Sequence, residues 1–428
     1  RLRYILRFRT TSESVLMAAL KDTLTFQDAV KITGPQAFNI MIKPVGSLCN
    51  LKCHYCYYLD KSEIYGGREP RMTLDMLEHY VKEYISANDV PEVYFNWHGG
   101  EPLLAGLDFY KKAVEFQKKY SGGKKITNTL QTNATLITKE WADFLGANRF
   151  LVGVSLDGPQ NVHDRYRGGK GGASVFGRVI KGVMELYRAG VQYNVMATVN
   201  HQSEGRGPEI YDFLKSAGTR FIQFMPVVEH IKDGRIVSPD VPGARLAPWS
   251  VSPLGFGKFL CDVFDCWVKN DVGKFFVNYF DATLACRCGV QPGICAFAPT
   301  CGGNSVIEHN GDLYPCDHFV YEEYRTGSLA ETDLRTLMNS EKQIRFGIDK
   351  RNNLPDKCLS CKWLSLCYGG CPKHRFDITE SGEPGLNSLC EGYAMYFTHV
   401  TPYMDIMKKL LTEGKPASGV MKMDLETI

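Results

Sequence analysis

Cys49, Cys53 and Cys56 stand in the run Cys-Asn-Leu-Lys-Cys-His-Tyr-Cys, directly after the strand-like residues 38–42. Three thiolates this close together can hold a metal or an iron–sulfur cluster. The run offers three thiolates rather than four, and an open coordination position is what reactive metal sites keep. In a four-iron cluster held this way, one iron is free to chelate a small molecule. Downstream, Gly99-Gly-Glu-Pro102 follows a second strand-like run, and paired glycines let a backbone approach a ligand closely. A second set of thiols, Cys358, Cys361, Cys367, Cys371 and Cys390, is preceded by Cys295, Cys301 and Cys316. These eight suit either two tetrahedral zincs or two four-iron clusters, and spacing does not choose between them. Asp317 adjoins Cys316. A carboxylate there can take a proton while a cluster takes an electron, or it can simply cap a turn.

The elements that must position these groups alternate from residue 38 to about residue 229. Strand-like runs at 38–42, 93–97, 125–131, 150–155, 191–198 and 221–225 are followed by helical patterns at 73–85, 108–119, 139–147, 176–189 and 209–217. Thr73 is placed to cap the first helix. Apolar strands separated by helices predict an α/β fold with a parallel sheet. Six strands with right-handed crossovers predict a partial (β/α)6 TIM-like barrel rather than a closed eight-fold one. Chemistry in such folds gathers at the carboxyl ends of the strands. The cysteine loop, Gly99-Gly-Glu-Pro102, Gln131-Thr-Asn133 and Ser155-Leu-Asp-Gly158 all fall at those ends.

The predicted divisions are an N-terminal extension at 1–36, the barrel at 37–230, a linker and helix at 231–285, a cysteine-rich domain at 286–395, and a closing helix and tail at 396–428. Within them, residues 230–252 read as a Pro/Gly-rich linker, 254–269 and 395–411 as helices, and the tail after Gly414 as disordered. The cysteine-rich domain is too irregular to rest on an apolar core, so metal clusters would stabilise it. Residues 1–16 read as an over-long start or vector sequence, because Met17 offers a natural beginning.

The chain has 428 residues, too many for a single compact core, with 44% hydrophobic and 23% charged residues, an ordinary globular balance. A net charge of +3 gives no footing for nucleic-acid binding, and no apolar run is long enough to span a membrane. Fifteen cysteines, an odd number grouped at ligand-like spacings without a secretion signal, favour thiolate ligands in a reducing cytoplasm over disulfides.

The cysteine loop followed by Gly-Gly-Glu-Pro resembles the radical S-adenosylmethionine (SAM) superfamily. The later cysteines resemble the SPASM extension, an iron–sulfur domain with two auxiliary 4Fe–4S clusters. More narrowly, Cys56-Tyr-Tyr-Leu-Asp-Lys61, Trp97-His-Gly-Gly-Glu-Pro102, Gln131-Thr-Asn133, Ser155-Leu-Asp-Gly-Pro159 and Tyr314-Pro-Cys-Asp317 look like the anaerobic sulfatase-maturating enzymes. The resemblance spans residues 38–395. It implies an oxidoreductase that uses SAM and three 4Fe–4S clusters to convert a Cys or Ser of a sulfatase to Cα-formylglycine. Its substrate would be an unfolded or nascent sulfatase polypeptide with a C/S-x-P-x-R motif, and a flavodoxin- or ferredoxin-type donor would supply electrons. A monomer is expected.

Residue by residue, the resemblance assigns Cys49, Cys53 and Cys56 to the SAM-cleaving cluster. It assigns Cys295, Cys301, Cys316 and Cys371 to one auxiliary cluster, and Cys358, Cys361, Cys367 and Cys390 to the other. Cys286 or Cys288 remains an alternative to Cys295, while Cys261 and Cys266 fall in a helix pattern as small apolar side chains. Gly99, Gly100, Glu101, Ser155 and Tyr55 are expected at SAM, with Arg178 as a carboxylate clamp. Tyr58 and Gln131 are expected at the peptide, and Asp317 as the base. Two other readings stand beside this one: a related SAM–SPASM enzyme that cross-links a peptide through a thioether, and a zinc-ribbon scaffold without catalysis.

Overall fold

The computed structural model describes residues 38–66, 70–238 and 241–423. The N-terminal extension, including residues 1–16, lies outside the described residues. Six strands form the frame: β1 (Asn39–Ile42), β2 (Glu92–Trp97), β3 (Lys125–Thr132), β4 (Leu151–Ser155), β5 (Tyr193–Val199) and β6 (Phe221–Pro226). They pair in sequential order and in parallel. The crossovers carry α1 (Leu74–Ala87), α2 (Leu107–Tyr120), α3 (Lys139–Ala147), α4 (Gln160–Tyr166), α5 (Phe176–Arg188) and α6 (Gly207–Ser216). Thr73 caps α1 by accepting from the Met76 amide, as its position suggested. The short helix α4 is an element that the apolar periodicity did not reveal. Period-2 burial along β5 and the apolar stripes of α1 and α5 close the core between sheet and helices.

The segment 230–252 is more than a linker. It forms a small antiparallel sheet of β7 (His230–Lys232), β8 (Arg235–Val237) and β9 (Arg245–Leu246). After it come α7 (Pro253–Asn270), β10 (Phe276–Val277) and α8 (Asn278–Arg287), with β10 extending the sheet beside β6.

At the other edge, β11 (Asn304–Ile307) pairs in parallel with β1, and β12 (Asp312–Tyr314) folds back on it through the turn at Asn310-Gly311. With β13 (Gly327–Ser328), the sheet reaches ten strands. The cysteine-rich region is therefore joined to the barrel by a continuous sheet. It also shares the apolar core, contrary to the expectation from its irregular composition: Phe297, Ile307, Leu313, Leu334 and Phe397 are fully buried in the same cluster as the barrel strands.

The last elements are α9 (Leu334–Met338), α10 (Glu341–Asn352), α11 (Asp356–Leu359), α12 (Leu364–Cys367), a two-stranded ribbon of β14 (Asp377–Ile378) and β15 (Pro384–Leu386), and α13 (Cys390–Thr412). Helix α13 begins five residues earlier than the predicted 395 and crosses α7 with backbones in contact. A Cβ on Gly392 would stand 2.1 Å from the Pro253 carbonyl oxygen. The tail is ordered rather than disordered through Met423: residues Ala417–Lys422 form a 3-10 turn that buries Val420 completely.

Candidate active site

The loop that leaves β1 is held from three sides. First, the Gly100 and Glu101 amides donate to the Gly46 and Leu48 carbonyls at 2.8 and 2.9 Å. A Cβ on Gly100 would lie 2.2 Å from the Leu48 oxygen, so only glycine lets the two strand-end loops meet. The glycine pair thus seats the cysteine loop. Glu101 is fully buried, and its carboxylate accepts from the Leu103 amide, the Thr132 hydroxyl and the Asn133 amide. Burial pushes this carboxyl up to about 7 against those three donors. Its oxygens tie β2 to β3.

Second, Asn133 and Thr135, past the end of β3, bond the side chain of Asn50, and the Asn133 amide reaches the Cys49 sulfur at 3.8 Å. Third, the Lys52 and His54 amides donate to the Gly168 and Tyr166 carbonyls. Cys53 and Cys56 are both electrostatic neighbours of Cys49. Burial pushes the Cys49 thiol up to about 12, while the Leu51 amide donates to its sulfur at 3.4 Å.

Tyr55 is buried, and its hydroxyl donates to Asp157 at 2.5 Å. Asp157 also accepts two bonds from Arg167 and one from the Thr198 amide. The Arg167 guanidinium lies 5.6 Å from the Tyr55 ring centre and interacts with Cys53. Arg178, in contrast, is exposed on the outside of α5, in a cleft shared with Thr135, Lys139, Asp143, Lys181 and Glu185. This placement corrects the expected clamp: the buried arginine beside the cysteine loop is Arg167, delivered by α4. Gln131 and Ser155 come together at adjacent strand ends, with the Gln131 amide donating to the Ser155 hydroxyl at 3.1 Å.

The parallel pairing of β1 with β11 brings Asp317 to the same place. β1 runs into the cysteine loop, and β12 ends two residues before Cys316. Asp317 is 8% exposed, accepts from the Tyr57 hydroxyl at 2.7 Å and faces the Lys43 ammonium at 3.8 Å. Lys43 itself is fully buried; burial lowers its ammonium, and Asp317, Glu308, Cys56 and Cys316 act against that lowering.

Burial raises the Asp317 carboxyl, but His318, Lys43, His98 and the Tyr57 hydroxyl outweigh it and hold it well below the usual carboxylate range. Burial also lowers His318 to about 4 and His98 to about 3. At neutral pH both rings are uncharged, so the partners that hold Asp317 ionised are Lys43 and Tyr57. Tyr58, expected at the peptide, is instead 3% exposed, with its hydroxyl committed to Glu308 and its ring 4.2 Å from the Lys43 ammonium. The tyrosine that touches the candidate base is Tyr57.

The remaining cysteines sort into two groups by mutual interaction. Cys295, Cys301, Cys316 and Cys371 form one. Cys358, Cys361, Cys367 and Cys390 form the other. Cys286 and Cys288, at the end of α8, have no thiol among their electrostatic neighbours. Cys261 is buried and Cys266 half-buried in α7.

Tetrahedral zinc, with Zn–S bonds of about 2.3 Å, needs sulfurs about 3.8 Å apart. Among the described residues the one trio of Cys, His, Asp or Glu ligand atoms within 4.8 Å of one another is Cys316, Asp317 and His318. Among the described residues no three thiols lie within 4.8 Å of one another, and a four-iron cluster, whose thiolates bind separate irons, does not require them to. Amides aimed at the Cys49 and Cys361 sulfurs at 3.4 Å are donors that a thiolate ligand uses.

Comparison with known proteins agrees with this architecture. Residues 44–218 match the radical SAM superfamily, and residues 295–362 match an iron–sulfur cluster-binding domain, SPASM. The site and fold thus define a SAM-dependent radical protein with an iron–sulfur extension. The chain is 48% identical to a serine-type anaerobic sulfatase-maturating enzyme of Bacteroides thetaiotaomicron over 90% of its length and 94% of that protein's. It is 35% identical to a cysteine-type enzyme of Clostridium novyi over 85% of its length and 95% of that protein's. A solved structure described as native anSMEcpe with bound AdoMet and Kp18Cys peptide superposes with a TM-score of 0.77 at 30% identity, covering 87% of this chain and 99% of that one. The chain belongs to the anaerobic sulfatase-maturating enzymes.

Proposed function

We propose that the protein oxidises a Ser or Cys side chain of an unfolded sulfatase segment, in a C/S-x-P-x-R motif, to Cα-formylglycine. The observation that carries this reading is Asp317, a buried carboxylate kept ionised between the cysteine loop and the first auxiliary thiol group. Three 4Fe–4S clusters fit the three groups: Cys49, Cys53 and Cys56; Cys295, Cys301, Cys316 and Cys371; and Cys358, Cys361, Cys367 and Cys390. When bound, the clusters supply the electron that cleaves SAM into methionine and a 5′-deoxyadenosyl radical, and they accept the electron that the substrate gives up.

The chain's own residues do the rest. Backbone groups of Gly99, Gly100 and Glu101, with Ser155, Gln131 and Tyr55, bound the SAM and peptide space at the strand ends. Arg167 supplies fixed positive charge there, in place of Arg178. Asp317 receives the proton from the substrate O–H or S–H. Loss of a hydrogen atom from Cβ makes that O–H far more acidic, so a strongly held carboxylate still suffices as acceptor. For a Ser substrate, one hydrogen atom, one proton and one electron leave, and a C=O double bond forms. A Cys substrate gives a thioaldehyde that water converts to the same aldehyde with release of hydrogen sulfide.

The 48% identity to a serine-type enzyme favours Ser as the preferred substrate. A flavodoxin- or ferredoxin-type protein is the proposed reductant, acting on a monomer. Among the described residues no helix is long and apolar enough to cross a membrane.

The test is anaerobic incubation of the reduced protein with SAM and matched Ser and Cys motif peptides, read by mass spectrometry. Losses of about 2 Da and about 18 Da, respectively, are expected from the stoichiometry of aldehyde formation. Cleavage of SAM with both peptide masses unchanged would move the assignment to another peptide modification, such as thioether cross-linking. Colourless protein carrying stoichiometric zinc would support a scaffold instead.

A further inference from the structure

Cys367-Tyr-Gly-Gly-Cys371 begins in one auxiliary thiol group and ends in the other. Tyr368, Gly369 and Gly370 all have left-handed backbones, with φ of 44°, 69° and 64°. Three such residues in a row turn their carbonyls toward one side chain, Arg375. Its Nε donates to the Gly369 oxygen at 2.9 Å, and one terminal nitrogen donates to the Tyr368 and Gly370 oxygens at 2.5 and 3.3 Å. The other terminal nitrogen donates to the Lys350 carbonyl at 2.5 Å.

Lys350 is 2% exposed. Its Nζ donates to the carbonyls of Cys295, Ala296 and Ala298 at 2.6, 2.9 and 2.5 Å. Three acceptors engage all three N–H bonds of an ammonium, whereas a neutral amine has only two. Burial lowers the Lys350 ammonium, but the cage of three carbonyls fits its charged form, and Arg375 is charged at any physiological pH.

Among the described residues no ion pair joins either cation to a carboxylate. The groups that favour their charged forms are cysteines, which carry negative charge once they are thiolate ligands: Cys301, Cys358, Cys367 and Cys371 for Arg375, and Cys295, Cys301 and Cys371 for Lys350. Two mutually repelling cations, Lys350 buried and Arg375 half-buried, held only by carbonyl dipoles are costly unless negative charge lies close by.

We propose that Arg375 and Lys350 are the counter-charges of the auxiliary clusters, Arg375 set between the two and Lys350 set against the Cys295 group, and that they raise the clusters' reduction potentials. The proposal rests on the cluster reading given above. In the step concerned, a 4Fe–4S core held by these cysteines would accept one electron, while in the substrate the O–H (or S–H) bond breaks and a C=O (or C=S) double bond forms. The electron comes from the substrate radical whose proton Asp317 has taken. The core becomes more negative by one unit, so a fixed cation beside it stabilises the reduced form more than the oxidised form. Arg375 and Lys350 are positioning residues that touch neither SAM nor the peptide.

The test is a reductive titration of the full chain, purified anaerobically with its iron counted and followed by electron paramagnetic resonance. Wild type is compared with Arg375→Lys, Arg375→Gln and Lys350→Gln, and the SAM-cleaving cluster serves as internal reference. At full iron content, Arg375→Gln is expected to lower the potentials of both auxiliary signals, Lys350→Gln to lower one, and Arg375→Lys to lie nearest to wild type. Unmoved potentials in both glutamine variants at full iron would overturn the proposal. If Arg375→Gln loses iron, Lys350→Gln decides by the same criterion. If both glutamine variants lose iron, retention by Arg375→Lys supports the counter-charge role, and loss there too makes these residues backbone caps and overturns it. Wild-type protein lacking the auxiliary iron would instead refute the cluster reading itself.

Discussion

Asp317 is useful as a base only if it stays ionised until the substrate proton is ready to leave. Lys43 and Tyr57 provide for that, and each arrives from the segment around the first cysteine motif, more than 250 residues away in sequence. Asp317→Asn is predicted to leave SAM cleavage intact and to reduce aldehyde formation by about 10²–10⁴-fold, the usual weight of a positioned base. Parallel assays of 5′-deoxyadenosine and aldehyde check it.

The pH dependence has a definite sign. A carboxyl held low remains ionised as pH falls, so aldehyde formation in wild type should show no acid limb from Asp317 between about pH 6 and 8. Lys43→Met removes the ammonium that faces Asp317, leaves burial less opposed and so raises the Asp317 value, which should move its acid limb upward toward that window. An acid limb unmoved in the variant would contradict the role of Lys43.

At this scale the Cys49–Cys56 motif was legible because it is local, whereas the two later sets interleave in sequence and were assigned through the family resemblance, as was Asp317 beside Cys316. Arg167, Asp157, Lys43 and Tyr57 were not. Their roles depend on partners from other strands, and residue type alone does not distinguish Arg167 from Arg178.

Among the elements, the strand-end loops work as a unit because Gly100 lets two backbones touch. Gly100→Ala would set a Cβ 2.2 Å from the Leu48 oxygen, so the cysteine loop must shift. The predicted outcome is a stability loss of about 1–3 kcal/mol, the range for overpacking, together with loss of SAM cleavage. Thermal unfolding and deoxyadenosine assays check the two parts. The α7–α13 crossing is constrained in the same way. Gly392→Ala pushes against the Pro253 carbonyl and displaces the helix whose first residue is Cys390. It should cost about 1–3 kcal/mol and about four irons per chain, the content of one cluster. Iron analysis showing full content would contradict that link.

The six strand–helix units were legible from periodicity. The short helix α4 was not, since seven residues between two glycine-rich turns carry too little pattern.

For the whole molecule, the decisive feature is the β1–β11 pairing, which makes a single sheet of barrel and cysteine-rich region. The short strands at 304–308 and 312–314 around Asn310-Gly311 are readable in the sequence, but pairing with a strand some 265 positions earlier leaves no local signature, and so the sequence reads as two separate domains. The joint is what puts Asp317 beside the cysteine loop. In the proposed function, this joint lets the proton leave at Asp317 and the electron pass to the auxiliary cysteines that adjoin it.

The most direct test of that arrangement is anaerobic turnover with a motif peptide whose Ser Cβ carries two deuteriums. The account predicts a deuterium in the 5′-deoxyadenosine and a matching aldehyde in the peptide. Cleavage of SAM with neither deuterium transfer nor aldehyde would contradict it.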